Sequence, residues 1–139
     1  MNLSIRNQLP GTVTAVTPGE VMATVRVHLD GGQDVTAAIT LDAVKDLGLA
    51  AGSAVRTLVK ATEVSLAIGP VEGLSIRNRL AGTVREVSTG AAMASVRVAV
   101  DGAELTAAIT KDAVTDLGLT EGSAVTALFK STEVSLAAV

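Results

Sequence analysis

The chain states nearly the same sequence twice, and that repeat sets the scale on which it can fold. Leu3-Ser4-Ile5-Arg6-Asn7 returns as Leu74-Ser75-Ile76-Arg77-Asn78, and Thr62-Glu63-Val64-Ser65-Leu66-Ala67 returns as Thr132-Glu133-Val134-Ser135-Leu136-Ala137. Between these anchors the halves align with one deletion, Gly32-Gln33 standing against Ala103, and most paired positions are identical. A repeat of this length is a small domain, too long for one repeat of a solenoid. The expected division is a first domain over residues 1–68, a linker over 69–73 and a second domain over 74–139. That linker, Gly69-Pro70-Val71-Glu72-Gly73, is short enough to hold the units side by side.

Units this small bury only about 60% of their unfolded surface and are marginal alone. The usual remedies are disulfides, a structural metal or association. With no cysteine in 139 residues the first is closed, and metal ligands are scarce. Association remains, and a hydrophobic content of 48% with a mean hydropathy of +0.49 agrees with apolar surface buried between units. A homo-oligomer is expected. Phe129 is the only aromatic residue, the net charge is −3 and the isoelectric point is about 5.0. Base stacking needs exposed aromatic rings and phosphate backbones attract basic surfaces, so no nucleic-acid partner is expected. No secretory leader opens the chain and no apolar run reaches membrane-spanning length; no membrane partner is expected and the cytoplasm is the default compartment.

Each half reads mostly as strand. Leu3–Leu9 and Thr12–Val16 form one long strand, expected to bend at Pro10-Gly11. Val21, Ala23, Val25, Val27 and Leu29 alternate with Met22, Thr24, Arg26 and His28, the period of a half-buried strand. Asp30-Gly31-Gly32 turns the chain, and Val35, Ala37 and Ile39 continue the alternation on the return. A short helix follows, with Thr40 as N-cap, Asp42 in the first turn and Gly48 as C-cap; Thr110, Asp112 and Gly118 are the counterparts. Strands over Ala54–Lys60 and Val64–Ala67 close the half. The order predicts an all-β fold of two tandem OB-like five-stranded barrels, each with one short helix.

Catalytic constellations are nearly absent, so no enzyme is expected. There is no thiol, no phosphate loop and no dinucleotide fingerprint. The only histidine, His28, is Ala99 in the other repeat and belongs on the solvent face of its strand. Arg26 and Arg97 are read the same way. The shared groups left over are Ser4, Arg6, Thr40 and Lys60, with Ser75, Arg77, Thr110 and Lys130 opposite them. They are guanidinium, ammonium and hydroxyl groups beside the free N–H groups of a helix start, a set composed mainly of donors. Such a set suits a small tetrahedral oxyanion. Phosphate keeps a proton at neutral pH that wants an acceptor, whereas molybdate, tungstate and sulfate are fully deprotonated. The competing reading is a structural ion pair at a domain interface.

Ser-x-Arg-Asn, Ala-Ile-Thr before a helix, Leu-Gly-Leu-x-x-Gly, and Lys-Ala or Lys-Ser before a short apolar strand together resemble the Mop family, the molbindins. The resemblance runs over essentially the whole chain twice, in order, and is that of a tandem, di-Mop molbindin. It implies cytoplasmic binding of molybdate, and usually tungstate, for storage or homeostasis, with no cofactor beyond the bound anion and no directly coordinated metal. It also implies pockets between Mop units of an oligomer, commonly a homotrimer of two-unit chains. Carried over by motif, the anion ligands are Ser4, Arg6, Asn7, Thr40, Lys60 and Ala61 in one set, and Ser75, Arg77, Asn78, Thr110, Lys130 and Ser131 in the other. Two departures stand out. Ile5 and Ile76 replace the family's usual alanine, with side chains expected to face away. Glu20-Val21-Met22 and Ala91-Ala92-Met93 replace its usual Ala-Val-Asn, which bears on any further anion sites near a symmetry axis.

The functional expectation is reversible capture of an intact oxyanion. The alternative keeps the fold and makes it an oxyanion-sensing module acting on a partner protein. A nucleic-acid-binding OB fold and an enzyme rank below both.

Overall fold

A computed structural model describes residues 2–139. The first half supplies β1 (Asn7–Pro18), β2 (Met22–Leu29), β3 (Asp34–Thr40), helix α1 (Leu41–Leu47), β4 (Ala54–Val59), a 3-10 turn (Ala61–Glu63) and β5 (Ser65–Ala67). The second supplies β6 (Asn78–Thr89), β7 (Met93–Val100), β8 (Ala103–Thr110), helix α2 (Lys111–Leu117), β9 (Ala124–Phe129), a 3-10 turn (Ser131–Glu133) and β10 (Ser135–Ala138). The fold is mostly β, as the alternation predicts: two curled five-stranded antiparallel sheets, each with one short helix.

The sheets do not coincide with the repeats. One has the order β10-β4-β1-β2-β3 and the other β5-β9-β6-β7-β8. β5 leaves its own half and pairs with β9, placing Ser65 opposite Leu128 and Ala67 opposite Thr126. β10 returns the exchange by pairing with β4, Ser135 opposite Leu58 and Ala138 opposite Val55. Each 3-10 turn is therefore the point where the chain crosses from one sheet to the other.

Alternation decides which side chains face inward. β2 runs exposed–buried throughout, with Val25 and Val27 fully enclosed and Arg26 and His28 outside. His28 Nδ1 meets Asp34 Oδ1 across the hairpin at 2.9 Å, an exposed pair. Arg97 lies 3.7 Å from Glu86 and 3.8 Å from Glu104, also exposed and worth little to stability. The inward residues of both sheets, Leu9, Val13, Val35, Val55 and Val64 with Leu80, Val84, Leu105, Phe129 and Val134, join one continuous core.

Two expectations about the first strand need correcting. The strand begins at Asn7, so Ser4 and Arg6 lie in the segment that precedes it. The bulge falls between Val13 and Ala15, and between Val84 and Glu86 in the other half, away from Pro10-Gly11. Gly11 serves close approach instead: a Cβ there would lie 2.7 Å from the His28 carbonyl oxygen, and one on Gly82 would lie 2.6 Å from that of Ala99. The helices end as the sequence indicates. Thr40 and Thr110 cap the first turns through Oγ1, and Gly48 and Gly118 adopt φ of 62° and 61° at the C-caps.

Candidate oxyanion site

Two shallow cavities, of about 250 and 240 Å³, repeat each other. The first is lined by Ser4, Ile5, Arg6, Lys60, Ala61 and Thr62; the second by Ser75, Ile76, Arg77, Lys130, Ser131 and Thr132. Each forms where the segment before a long strand passes the crossover turn of the same half. Antiparallel pairing of β1 with β4 sets this up: Asn7 lies opposite Val59, so the residues just before Asn7 and just after Val59 emerge at one end of the sheet. β6 and β9 do the same through Asn78 and Phe129.

The arginines are held close to their own backbone. Arg6 donates from Nε to the Ser4 carbonyl at 3.3 Å and from Nη2 to the Leu3 carbonyl at 2.5 Å. Arg77 repeats this with Ser75 at 3.2 Å and Leu74 at 2.8 Å. Both guanidiniums are thereby oriented, and Nη1 makes no hydrogen bond among the described residues. Lys60 and Lys130 sit at the N-caps of the crossover turns, exposed and unpaired with any carboxylate among the described residues. The carboxyl of Glu63 meets that of Glu133 from the other turn, so the two crossovers are neighbours. This contact, followed by burial and the charge of Glu133, raises the Glu63 pKa, with Lys60 pulling the other way.

Among the residues singled out from sequence, Ser4, Arg6, Lys60 and Ala61 gather in the first cavity, and Ser75, Arg77, Lys130 and Ser131 in the second. Thr40 and Thr110 lie outside both linings, exposed at the helix starts, each Oγ1 accepting from the N–H three residues on at 3.1 Å. Asn7 and Asn78 also lie outside. Each is only 1% exposed and uses its side-chain amide to pair with backbone of the opposite sheet. Asn7 Nδ2 donates to the Thr106 carbonyl at 2.8 Å while Oδ1 accepts from its N–H at 2.7 Å; Asn78 does the same with Thr36 at 2.9 and 2.8 Å. These side chains act as an extra rung of sheet.

Ile5 and Ile76, expected to face away, are part of the walls. Thr62 and Thr132 also line the cavities and were not singled out as ligands, although both belong to the repeated Thr-Glu-Val-Ser-Leu-Ala block. A further cavity of about 230 Å³ lies between the hairpin tips, with Leu9, Leu29, Val100 and Asp101 in its walls. Its lining contains no cation, so it does not suit an anion.

The wall chemistry of the paired cavities is one guanidinium, one ammonium and hydroxyls, with no carboxylate in either lining. That combination can surround an acceptor-only anion with charge-assisted hydrogen bonds.

Comparison with known proteins agrees with this architecture. The TOBE domain family matches twice, over residues 3–66 and 74–136. Molybdenum transport protein ModE of Azotobacter vinelandii is 38% identical over 138 residues, covering 99% of this chain and 51% of that protein. Molybdenum-pterin-binding protein MopB of Rhodobacter capsulatus is 40% identical over 139 residues, covering 99% of this chain and 52% of its own length. The chain thus spans about half the length of these relatives. A solved structure of ModG, described as a cytoplasmic molybdate-binding protein, superposes with a TM-score of 0.97 at 41% identity, with 100% of both chains covered. The chain therefore belongs to the TOBE-domain family, as a tandem pair of the Mop units that its repeated motifs resemble.

Proposed function

We propose that this chain binds molybdate, and tungstate with it, as an intact oxyanion for intracellular storage and homeostasis. The observation that carries the reading is the pair of cavities, each joining an arginine, a lysine and hydroxyls without a carboxylate in its walls. The names of the ModG, ModE and Mop relatives support it. Each charge-assisted hydrogen bond contributes about 1.5–3 kcal/mol, so a few offset the cost of stripping water from a dianion. Binding involves neither redox nor covalent change at the metal, needs no cofactor and constitutes no catalysis. Selection against sulfate rests on cavity size, because charge and shape are alike.

The cavities of a single chain are open on one side, which supports closure by a neighbouring copy in a homo-oligomer, a trimer by resemblance. Val21, Met22 and Met93, at 73%, 45% and 49% exposure, offer apolar surface for that association. The cytoplasm is the proposed compartment, with neither nucleic acid nor membrane as partner. The ModE likeness favours one second reading, an oxyanion sensor that acts on a partner protein.

Titration calorimetry tests the main reading. Molybdate should bind and sulfate should not compete at equal concentration, and Lys60→Ala and Lys130→Ala should each weaken one set of sites by about tenfold or more. Affinity within about twofold of the parent in both variants would remove the lysines from the site. Native mass spectrometry with molybdate reports assembly and stoichiometry together, and a molybdate-dependent partner recovered from extract would favour the sensor.

A further inference from the structure

Residues 70–77 lead from β5 to β6 with neither helix nor strand, yet they carry Ser75, Ile76 and Arg77 into the second cavity. Among the described residues, none of 70–77 makes a backbone–backbone hydrogen bond. The carbonyls of such a segment need donors from elsewhere, and whatever supplies them sets its shape. The donors are two guanidiniums, Arg77 within the segment and Arg79 in β6 beyond it.

Arg79 is half-buried and lines neither cavity. It pairs with no carboxylate among the described residues. Its fork is given to main chain instead: Nε donates to the Ile76 carbonyl at 3.0 Å, Nη2 to that of Leu74 at 2.7 Å and Nη1 to that of Val71 at 3.2 Å. The Leu74 carbonyl also accepts from Arg77 Nη2 at 2.8 Å. One guanidinium thus fixes the acceptor that orients the other.

The repeat separates this bracing from what the strand itself requires. Gln8 stands in the place of Arg79 and donates from Nε2 to the Ile5 carbonyl at 3.0 Å, the counterpart of the Arg79–Ile76 bond. It reaches no further, and among the described residues the Leu3 carbonyl accepts from Arg6 alone. Gln8 is in turn held from β4 by Arg56 Nη1 at 3.4 Å, where the second half has Thr126. A glutamine therefore suffices to start the long strand, and two of the three Arg79 bonds serve the segment that reaches the cavity.

We propose that Arg79 is a positioning residue for the second oxyanion cavity. By holding the carbonyls of Val71, Leu74 and Ile76 it sets how Ser75 and Arg77 are presented before any anion arrives, so binding does not have to order the segment. A lysine would supply the charge at that place without the fork that spans three carbonyls. This inference rests on the oxyanion reading above.

The test is NMR titration of the full chain with sodium molybdate. It compares the parent with Arg79→Gln, which installs the residue of the first half, and Arg79→Lys, which keeps the charge. The backbone amides of Ser75 and Ser131 report the second cavity and those of Ser4 and Ala61 the first. Both variants should lose about tenfold in affinity at the second cavity, with the first cavity and the stoichiometry unchanged. Without molybdate, solvent exchange of the Arg77 Nε proton should quicken by about tenfold in both variants, while that of Arg6 stays as in the parent. Parent-like affinity at the second cavity in either variant would overturn the proposal; in Arg79→Lys alone it would show that charge acts at a distance. Unchanged Arg77 exchange, or equal weakening of both cavities, would overturn it too while leaving the oxyanion reading intact. Absence of molybdate binding in the parent would overturn both readings.

Discussion

Asn7 and Thr106 belong to different sheets, yet the side-chain amide of one completes the backbone pairing of the other through bonds of 2.8 and 2.7 Å. Asn78 and Thr36 form the matching pair. Replacing Asn7 with alanine would leave a donor and an acceptor of Thr106 without partners in a part-buried setting. Each orphaned group costs about 1–3 kcal/mol, so Asn7→Ala should lower unfolding stability by about 3 kcal/mol. Chemical denaturation checks this. A loss below about 0.5 kcal/mol would mean that water or backbone rearrangement replaces the amide.

Thr57 offers the opposite change. It is fully buried, its hydroxyl has no partner, and its counterpart is Ala127, equally buried. Thr57→Val keeps the branched shape and removes the polar atom. A gain of about 1 kcal/mol is expected, seen as a higher denaturation midpoint at unchanged slope.

The Glu63–Glu133 contact makes stability depend on pH. The Glu63 pKa is raised above 4.5 by the hydrogen bond with Glu133, then by burial and by that neighbour's charge. A carboxyl raised in the folded state contributes stability that is fully present below its ordinary pKa and lost as pH rises through the raised value. Glu133→Gln should therefore stabilise the protein at neutral pH and have no such effect below pH 4.5. The gain should not exceed about 1 kcal/mol, because both carboxyls are partly exposed. Melting curves at several pH values separate this from a pH-independent effect.

Strand exchange can be tested by shortening the chain. Ending it after Val134 removes β10, which pairs with β4 of the opposite half. Amide hydrogen exchange should quicken by about tenfold or more at Val55–Leu58 and stay slow in β9, whose edge is covered by β5. Deprotection of β9 with β4 unchanged would mean that each strand serves its own half.

Much of the fold was readable in the residues because two periodicities carry it. Alternation marked β2 and β3 and their counterparts, and Thr40 with Gly48 marked a helix by its caps. The exchange was not readable. Val64-Ser65-Leu66-Ala67 and Val134-Ser135-Leu136-Ala137 are identical, so neither favours one sheet by sequence; the path taken by the connection decides. Arg79 illustrates that path. It stands where the first half has Gln8, and donates to the carbonyls of Val71, Leu74 and Ile76 at 3.2, 2.7 and 3.0 Å, tying down the connection between the two halves. The arginines, lysines and first hydroxyls of the cavities were legible because the repeat preserves them. Asn7 and Asn78 are preserved too, but a motif does not reveal whether an amide faces a ligand or a neighbouring strand. Thr62 and Thr132 were obscured because their block reads as the lead-in to a strand.

The reciprocal pairing of β5 and β10 makes the duplication more than two copies in a row. A molecule carrying a single copy could complete its sheet in this manner only by borrowing a strand from a second molecule, at a rate and occupancy set by dilution. Tethering the copies makes that partnership independent of how much protein is present. The cavity-lining segments at both crossovers then come preassembled in every molecule made.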